Sequence, residues 1–455
     1  MTTKETRKKI GVFSHGGTKN LGDEALLAAV IQNVLLRVPH AEVVGFTINP
    51  EDTHERHGIL SFPVRQIDRG ALSNTAGSEP SVGLTKTPER EGSSVGAAGK
   101  IKNALKILPG VRPAVRVLRG LAQNLHTIFA EPKFLFDSYR RLEGVDLLLV
   151  AGSQQLNDGY GGAWGFPFTL YKWTLLAKLA GTRVAILSVG AGPISSPLSK
   201  FFFKRVLNLV DYRSYRDAIS SRMMERMGIK GAHPVLPDLV YSLQLPAPKA
   251  APTGAARIVV GANPVPFFDG RYWPTPDPAR YQDYVRKFAR FAEWLDESGH
   301  SILFFPTQMR ADVLTIGDIR REMNGHSQSP NLLPGRPMQT LEDLVSEISR
   351  ADFVVANRYH GILISLMMNK PVLGVAYHEK SRALLEQAGQ GDYVLNIADF
   401  KTEDLIERFS AMEAAAPALK KRIAERMAPL RKALDEQYDT VLGLIGIQPA
   451  SGRAS

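Results

Sequence analysis

The feature that most limits how this 455-residue chain can fold is an alternation of short apolar segments, glycine-containing turns and helical segments. The apolar segments have the length of strands, and the segments between them show helical periodicity. The alternation predicts strands over residues 10–14, 43–48, 145–150, 183–189 and 210–214, and again over 257–261, 302–305, 352–356 and 372–375. Strands and helices that alternate in this way form parallel sheets. We therefore predict an α/β fold.

Two such series, separated by a proline-rich stretch, predict two facing Rossmann-like domains, since a chain of this length is too long for one core. The predicted units are a first domain at 1–245, a linker at 246–256, a second domain at 257–410, and a helical segment with a tail at 411–455. Ligands of such folds bind at the carboxyl ends of the strands. We expect the substrate site in the cleft between the domains.

The first domain is predicted to carry an insertion over residues 68–143. Its first part, 68–100, is rich in Gly, Ser, Thr and Pro and has no periodicity, which is typical of a flexible segment. Residues 101–125 contain five basic residues and no acidic residue, with Ile, Leu and Val between them. This segment either contacts an anionic membrane surface or forms helices that pack on the first domain.

The net charge of +11 favours anionic partners, and the chain contains no cysteine. The basic residues are not interleaved with aromatic residues, so we expect no nucleic-acid partner. The absence of cysteine excludes disulfides, iron–sulfur clusters and thiolate zinc sites, and the histidines are too scattered to predict a metal site. Without a run of about 18 apolar residues, the expected location is the cytoplasm, with peripheral contact at the inner face of the cell membrane through 101–125.

The strongest local pattern follows the strand at 352–356, where Asn357-Arg358-Tyr359-His360 leads directly into a helix. This placement puts Arg358 and His360 at the carboxyl end of a strand, in the expected cleft. A helix start offers free N–H groups and partial positive charge to an anion. Arg358 can bind a carboxylate or phosphate, and His360 titrates near neutral pH. The alternative is a capping histidine and a surface arginine.

Two further patterns also follow strands. Residues 14–24 form a glycine-rich loop whose spacing matches neither a dinucleotide fingerprint nor a P-loop. It ends in Asp23 and Glu24, which would repel a phosphate and suit a sugar hydroxyl, although either could simply cap the helix. In Arg216-Asp217, the arginine is either a second anion clamp or a member of a surface ion pair.

Taken in order, these segments resemble the polysaccharide pyruvyl transferases. The resemblance rests on GGTKNLGDEA, VDLLLVAGSQQLND, SVGAGP, SYRD and ANRYHGILISLMMNKPVLG, and it covers nearly the whole chain apart from 68–143 and the C-terminal tail. The most specific matches are the loop residues Asn20, Gly22, Asp23 and Glu24, the pair Arg216-Asp217, and Arg358 with His360. The sequence departs from the family pattern at Ala151-Gly152-Ser153-Gln154, where a Gly-Gly-Gly-like turn is usual, and at Tyr359, which replaces a leucine.

The resemblance implies a glycosyltransferase-B-like fold and pyruvyl transfer from phosphoenolpyruvate onto two hydroxyls of one sugar, which forms a ketal and releases phosphate. It implies that Arg216 and Arg358 bind phosphoenolpyruvate, and that His360 contacts the donor and is catalytic. The acceptor, a saccharide or a lipid-linked oligosaccharide, is expected to contact Asn20, Asp23, Gln154 and Asn157. The reaction formally requires no cofactor and no metal.

The chemistry of pyruvyl transfer requires these residue types, independently of the family resemblance. A donor with a phosphate and a carboxylate suits a clamp of two arginines, and protonation of its methylene carbon needs an acid such as protonated His360. Asp23 or Glu24 can accept the proton of the sugar hydroxyl. The alternatives are a nucleotide-sugar-dependent glycosyltransferase of the same architecture, for which no strand-end pair of glutamates is found, and a non-catalytic basic binding protein.

Overall fold

The computed structural model of the protein describes residues 7–17, 20–65, 131–159, 161–246, 257–273, 275–323, 326 and 328–448. Within these residues the chain forms two parallel β-sheets, one from each half of the sequence. Helices connect the successive strands. The α/β class predicted from the alternation of elements is confirmed.

The first half builds a six-stranded sheet. Its strands are β1 (Lys9–Phe13), β2 (Glu42–Thr47), β3 (Leu60–Pro63), β4 (Leu147–Leu156), β5 (Arg183–Ala191) and β6 (Tyr212–Tyr215). Its helices are α1 (Leu21–Arg37), α2 (Pro50–His57), α3 (Phe166–Leu179), α4 (Pro197–Leu209) and α5 (Ala218–Arg226). Residues 131–142 are also helical, and Leu239–Ser242 form a 3-10 helix.

The second half builds a five-stranded sheet. Its strands are β7 (Val259–Asn263), β8 (Ser301–Phe304), β9 (Phe353–Ala356), β10 (Val372–Ala376) and β11 (Val394–Asn396). Its helices are α6 (Pro278–Glu297), α7 (Asp312–Glu322), α8 (Leu341–Ser349), α9 (Tyr359–Met367), α10 (Glu379–Gln387), α11 (Thr402–Ala414) and α12 (Ala416–Gly443). Gly391–Tyr393 form a 3-10 helix.

The strand orders are β3-β2-β1-β4-β5-β6 and β11-β10-β9-β7-β8. Both are orders of doubly wound domains, in which a crevice opens where the winding reverses. The central strands are buried on both faces, as the pattern of β9 shows, where all four residues are buried. Such strands read as continuous apolar runs rather than alternating ones, which is why their positions are visible in the sequence.

Several elements differ from the prediction. The predicted helical segment at 411–455 contains the end of α11 and all of α12, which are divided at Ala415, just before Pro417. Residues 131–142, assigned to the insertion, instead belong to the first core, because Leu142 is fully buried there. The helix α2 was not predicted, since only Thr53 among its residues is buried and no apolar period exists.

The described residues exclude 66–130 and 247–256. The predicted insertion up to residue 130, the basic segment 101–125 and nearly all of the predicted linker 246–256 therefore lie outside them. Of the helices that the structure describes, none combines the length and apolar character needed to cross a bilayer.

The last helix, α12, packs back onto the first half. Arg37 of α1 donates hydrogen bonds from Nη2 to Asp435 (2.8 Å) and from Nε to Asp439 (2.6 Å). The guanidinium also lies 5.3 Å from the ring centroid of Tyr438. The C-terminal helix thereby joins the two halves of the chain on the side of α1.

Candidate active site

A cavity of about 170 Å³ lies between the two halves of the molecule. It is lined by residues that follow strands of both sheets: His15, Asn20, Asp23, Ser153, Gln154, Arg216, Thr307, Gln308, Arg358, Tyr359, His360, Tyr377, His378, Lys380 and Ser381. The carboxyl ends of β1, β4 and β6 supply the residues of one wall, and those of β8, β9 and β10 supply the other. This is the position at which parallel sheets bind ligands.

Arg216 lies at the end of β6 and has only 8% of its side chain exposed. Its Nη1 donates a hydrogen bond to Oδ2 of Asp238 (2.9 Å), and its guanidinium lies 5.0 Å from the ring centroid of Tyr359. Burial opposes its charge, but Tyr359 and Asp238 outweigh burial and raise the pKa of Arg216. Because Asp238 takes one donor among the described residues, most of the five N–H groups of Arg216 remain for a ligand.

Arg358 approaches from the opposite wall and is fixed by Asp312, a fully buried carboxylate at the start of α7. The Nε and Nη2 groups of Arg358 donate to Oδ1 of Asp312 at 3.1 and 2.6 Å. The other oxygen, Oδ2, accepts from the backbone N–H groups of Thr307 and Gln308. The carboxylate is thus satisfied on both oxygens and holds the guanidinium in one orientation.

Lys380 brings a third cationic group to the cavity. Its Nζ is buried and has no hydrogen-bond partner among the described residues. Burial, followed by the charge of Arg216, lowers the pKa of Lys380 to about 7, while Asp217 and Asp238 act in the opposite direction. A buried ammonium group without a partner is costly, so this site suits an incoming anion.

His360 lies at the start of α9, against the N-terminal turn of α1. A Cβ at Gly22 would overlap the imidazole, so only glycine allows this approach. Burial lowers the pKa of His360 to about 4; Asp238 raises it and Arg216 lowers it further. Its Nε2 has no hydrogen-bond partner in the part of the chain that the structure describes. With this pKa, the imidazole of His360 is neutral at pH 7.

The loop before α1 ties the two walls together. Asn20 caps α1 through its side chain, which accepts from the N–H of Gly22 (3.0 Å), and its backbone pairs with that of Gln308. The backbone N–H of Leu21 also donates to the carbonyl of Thr307 (3.2 Å). Asp23, in the first turn, faces the cavity.

Glu24 and Asn157 are placed differently from the expectation, because neither lines the cavity. Glu24 is 2% exposed, and its oxygens accept from the N–H of Gly17 and contact Nε2 of His57, both at 2.9 Å. Asn157 folds its amide back onto the carbonyl of Gln154 and accepts from the N–H of Gly159. Both side chains shape loops beside the site.

The wall formed by the first half also contains His15 and Ser153, neither of which was predicted as a site residue. Burial, with a smaller effect of Arg65, lowers the pKa of His15 to about 3. Ser153 has a φ of 85°, a backbone conformation that is unfavourable for residues other than glycine. It stands within the Ala151-Gly152-Ser153-Gln154 segment, where the sequence departs from the Gly-Gly-Gly-like turn.

Lys380 was also missed, although the signal that identified Arg358 was present. Both residues follow a buried strand and lie at the start of a helix, β9 with α9 and β10 with α10.

The fold defines a class, that of α/β proteins with two parallel sheets and the glycosyltransferase-B fold. The chain is similar to a protein described as a UDP-N-acetylglucosamine 2-epimerase from Listeria monocytogenes, with a TM-score of 0.55, 10% identity, and coverage of 99% of this chain and 100% of that one. It is also similar to MnaA of S. aureus, in a structure with UDP, with a TM-score of 0.51, 11% identity, and coverage of 98% and 100%. At these identities the likeness concerns the fold, and the predicted fold is confirmed.

Within this class, the chain belongs to the polysaccharide pyruvyl transferase family, whose sequence profile matches residues 20–379. It is therefore a transferase. The amylovoran biosynthesis protein AmsJ of Erwinia amylovora is 22% identical over 334 residues, which cover 68% of this chain and 74% of that protein. The family predicted from the sequence is confirmed.

Proposed function

We propose that the cavity binds phosphoenolpyruvate and that the protein transfers its pyruvyl group, as a ketal, onto two hydroxyls of a sugar in a polysaccharide precursor. The observation that carries this proposal is the convergence of Arg216, Arg358 and Lys380 on one small cavity that also contains His360. A phosphate monoester carries a charge of about −1.5 to −2 at pH 7, and the donor adds a carboxylate. Three cationic groups complement this charge.

The reaction begins with proton transfer from His360 to the methylene carbon of the donor, which makes the adjacent carbon an oxocarbenium-like electrophile. One sugar hydroxyl attacks this carbon and gives its proton to Asp23. The C–O bond to phosphate then breaks, and the second hydroxyl closes the ketal ring. Its proton returns to His360, while the proton held by Asp23 leaves with phosphate, so the protein ends as it began.

A protonated His360 requires the donor, because the protein groups around the imidazole alone keep it neutral at pH 7. Anions bound beside an imidazole favour its charged form. We infer that the phosphate and carboxylate of phosphoenolpyruvate raise the pKa of His360 when they bind. The acid would then be formed only when there is a donor to protonate.

The acceptor is proposed to lie on the wall of the first half, against Asn20, Asp23 and Gln154. The biosynthetic relative named for amylovoran supports a polysaccharide precursor as the acceptor class. The proposed location is the cytoplasm, and a peripheral contact with the inner face of the cell membrane through residues 101–125 stays a prediction from the sequence.

The proposal is tested by phosphate release from phosphoenolpyruvate with a panel of free and lipid-linked glycosides, and by thermal shift with the donor alone. Arg358→Lys keeps a charge beside Asp312 but removes the planar fork, so the donor-dependent shift should fall strongly. The matched control is Arg310→Lys, an exposed arginine that does not line the cavity. A full shift in Arg358→Lys would overturn the donor assignment.

A nucleotide-sugar donor is tested in the same assay. The cavity of about 170 Å³ is smaller than the roughly 300–1,000 Å³ of pockets for drug-sized ligands, which supports the smaller donor. A thermal shift with UDP-sugars that depends on Arg358, together with no response to phosphoenolpyruvate, would favour a glycosyltransferase instead.

Turnover of His360→Asn separates catalysis from binding. General-acid catalysis contributes about 10²–10⁴-fold, so we expect turnover to fall by at least about a hundredfold while the donor-dependent thermal shift is largely kept. Equal losses of turnover and of donor binding would identify His360 as a binding group only.

A further inference from the structure

One outer face of the first half carries large aromatic side chains that the fold leaves in solvent. Trp164, two residues before α3, is 69% exposed, and Phe201 in α4 is 45% exposed. The ring of Trp164 lies 5.2 Å from that of Phe168 and 5.7 Å from that of Phe202. These four residues, called the aromatic patch below, are therefore held together by packing.

The aromatic patch lies beside the cavity. Helices α3 and α4 follow β4 and β5, so their first turns stand at the edge of the sheet where the strands end. The ring of Phe166, at the start of α3, contacts that of His15 in the cavity wall, with centroids 4.3 Å apart. Apolar exposure continues along α3 to Leu175 and Leu179, which are 36% and 65% exposed.

Basic residues border the aromatic patch. Neither α3 nor α4 contains an acidic residue, and α4 exposes Lys200, Lys204 and Arg205. The guanidinium of Arg205 lies 5.4 Å from the ring centroid of Phe201. Among the described residues, none forms an ion pair with these three side chains.

We propose that the aromatic patch, with Lys200, Lys204 and Arg205, docks on an anionic lipid bilayer. Tryptophan and other amphipathic rings settle at the level of the lipid headgroups, and exposed Lys and Arg are attracted to anionic lipids. A docked molecule would hold its acceptor wall close to the membrane surface. The proposal is independent of the donor assignment, because it uses no charge in the cavity.

The positive charge of this face favours a lipid surface, rather than a second copy of the chain, as its binding partner. A two-fold contact through the aromatic patch would bring the basic residues of two copies together, and like charges in contact disfavour association. An anionic bilayer instead offers opposite charge to the basic residues and an apolar boundary to the rings.

The experiment is flotation of the full chain with vesicles of phosphatidylglycerol and phosphatidylcholine, compared with vesicles of phosphatidylcholine alone. Each basic residue at an anionic surface contributes roughly fivefold to partitioning. We expect Lys200→Glu/Lys204→Glu/Arg205→Glu and, separately, Trp164→Ala/Phe201→Ala each to lower partitioning at least about tenfold. All five side chains are exposed, so folding should be retained, which circular dichroism checks.

Matched controls come from the opposite half and from α12. Val313→Ala/Leu314→Ala alters two apolar side chains that are 46% and 42% exposed, and it should partition like the wild type. Lys421→Glu/Arg426→Glu/Arg431→Glu produces the same change in net charge on exposed positions of α12. If this control loses binding to the same extent as the α4 variant, bulk charge explains the binding and the proposal is overturned.

A second readout reports on Trp164 directly. Vesicles of brominated phosphatidylglycerol should quench a part of the tryptophan fluorescence that is missing in Trp164→Phe. Absence of this quenching contradicts the proposal. A second result would also contradict it: the wild type does not float with the vesicles, but sedimentation velocity shows that it self-associates and that Trp164→Ala/Phe201→Ala removes the self-association. The aromatic patch would then be an interface between copies of the chain.

Discussion

At the scale of single residues, the contact between Gly22 and His360 links the acceptor wall to the proposed acid. We predict that Gly22→Ala lowers turnover at least about tenfold, because the added Cβ overlaps the imidazole and displaces it. In a helix, Ala is favoured over Gly by about 0.5–1 kcal/mol, so the loss cannot come from helix propensity. The measurement is phosphate release together with the melting temperature.

The matched control for this substitution is Gly317→Ala in α7. That glycine is also helical, and nothing lies within 4 Å of an added Cβ. We expect full turnover and a slightly raised melting temperature. If Gly22→Ala also keeps full turnover, the position of His360 is not fixed by α1.

The lowered pKa values of His360 and Lys380 predict that phosphoenolpyruvate binds together with protons. At pH 7 the protein without donor has a neutral His360, with a pKa of about 4, and a partly charged Lys380, with a pKa of about 7. Bound anions raise both pKa values, so protons are taken up. By linkage, donor affinity then rises as pH falls from about 8 towards 5.

Calorimetry in buffers of different ionisation enthalpy counts these protons. His360→Asn should lower the uptake at pH 7 by up to about one proton and Lys380→Met by up to about half a proton. The direction of the pH dependence follows from protonation in the complex. Because His360 and Lys380 gain protons when the donor binds, donor binding becomes weaker as pH rises. An uptake near zero in the wild type at pH 7 contradicts the proposed role of His360 as an acid formed by the donor.

The site could be predicted from the sequence only in part. Arg216, Arg358 and His360 were found because each follows an apolar strand, and strand ends determine where a side chain can meet a ligand. Glu24 carries the expected chemistry, but the N–H of Gly17 and the ring of His57 occupy its oxygens. Such tertiary contacts have no local signal, because His57 lies 33 residues away.

At the scale of elements, strands buried on both faces and helices with an apolar period were predictable, while short polar elements were not. The strand β9 is a run of four buried apolar residues, whereas β3 has an exposed Leu60 and partly buried neighbours. The helix α2 is defined by its Asn49 cap and Pro50 rather than by an apolar face. The formation of β3 and α2 depends on their packing against the rest of the domain, which the periodicity of the local sequence does not show.

The attachment of α12 to α1 gives a prediction at this scale. Arg37 has 5% of its side chain exposed and pairs with Asp435 and Asp439, which are 44% and 33% exposed. Because these carboxylates regain water when Arg37 is removed, we expect Arg37→Ala to cost about 1–3 kcal/mol in the free energy of unfolding. Urea denaturation measures this as a lower midpoint with an unchanged m-value.

The control for Arg37→Ala is Arg426→Ala, an exposed position of α12, where surface substitutions stay within about 0.5 kcal/mol. Equal midpoints for the two variants would mean that the ion pairs of Arg37 contribute little. A changed m-value would instead indicate that α12 detaches before the rest of the chain unfolds.

At the scale of the whole molecule, the described residues on either side of the segment 66–130 contact α3, one of the two helices that contribute to the aromatic patch. Arg65 donates from Nε to the hydroxyl of Thr169 in α3 (2.9 Å), and Lys172 of the same helix donates to Glu131 (2.6 Å). The two residues that flank the segment 66–130, Arg65 and Glu131, therefore both contact α3. A contact between 101–125 and a bilayer would act together with the aromatic patch, as two linked binding modules do.

We predict that deleting residues 101–125 lowers partitioning to anionic vesicles and that the loss multiplies with that of Trp164→Ala/Phe201→Ala, because separate contacts with one bilayer add in free energy. The release of the full chain by salt should shift to lower ionic strength, since five basic residues are removed. Deletion of 68–92, equally long and of nearly balanced charge, is the control and should leave partitioning unchanged. Should the protein without 101–125 float like the wild type, the segment has no membrane contact, and the alternative that it packs on the first half is favoured.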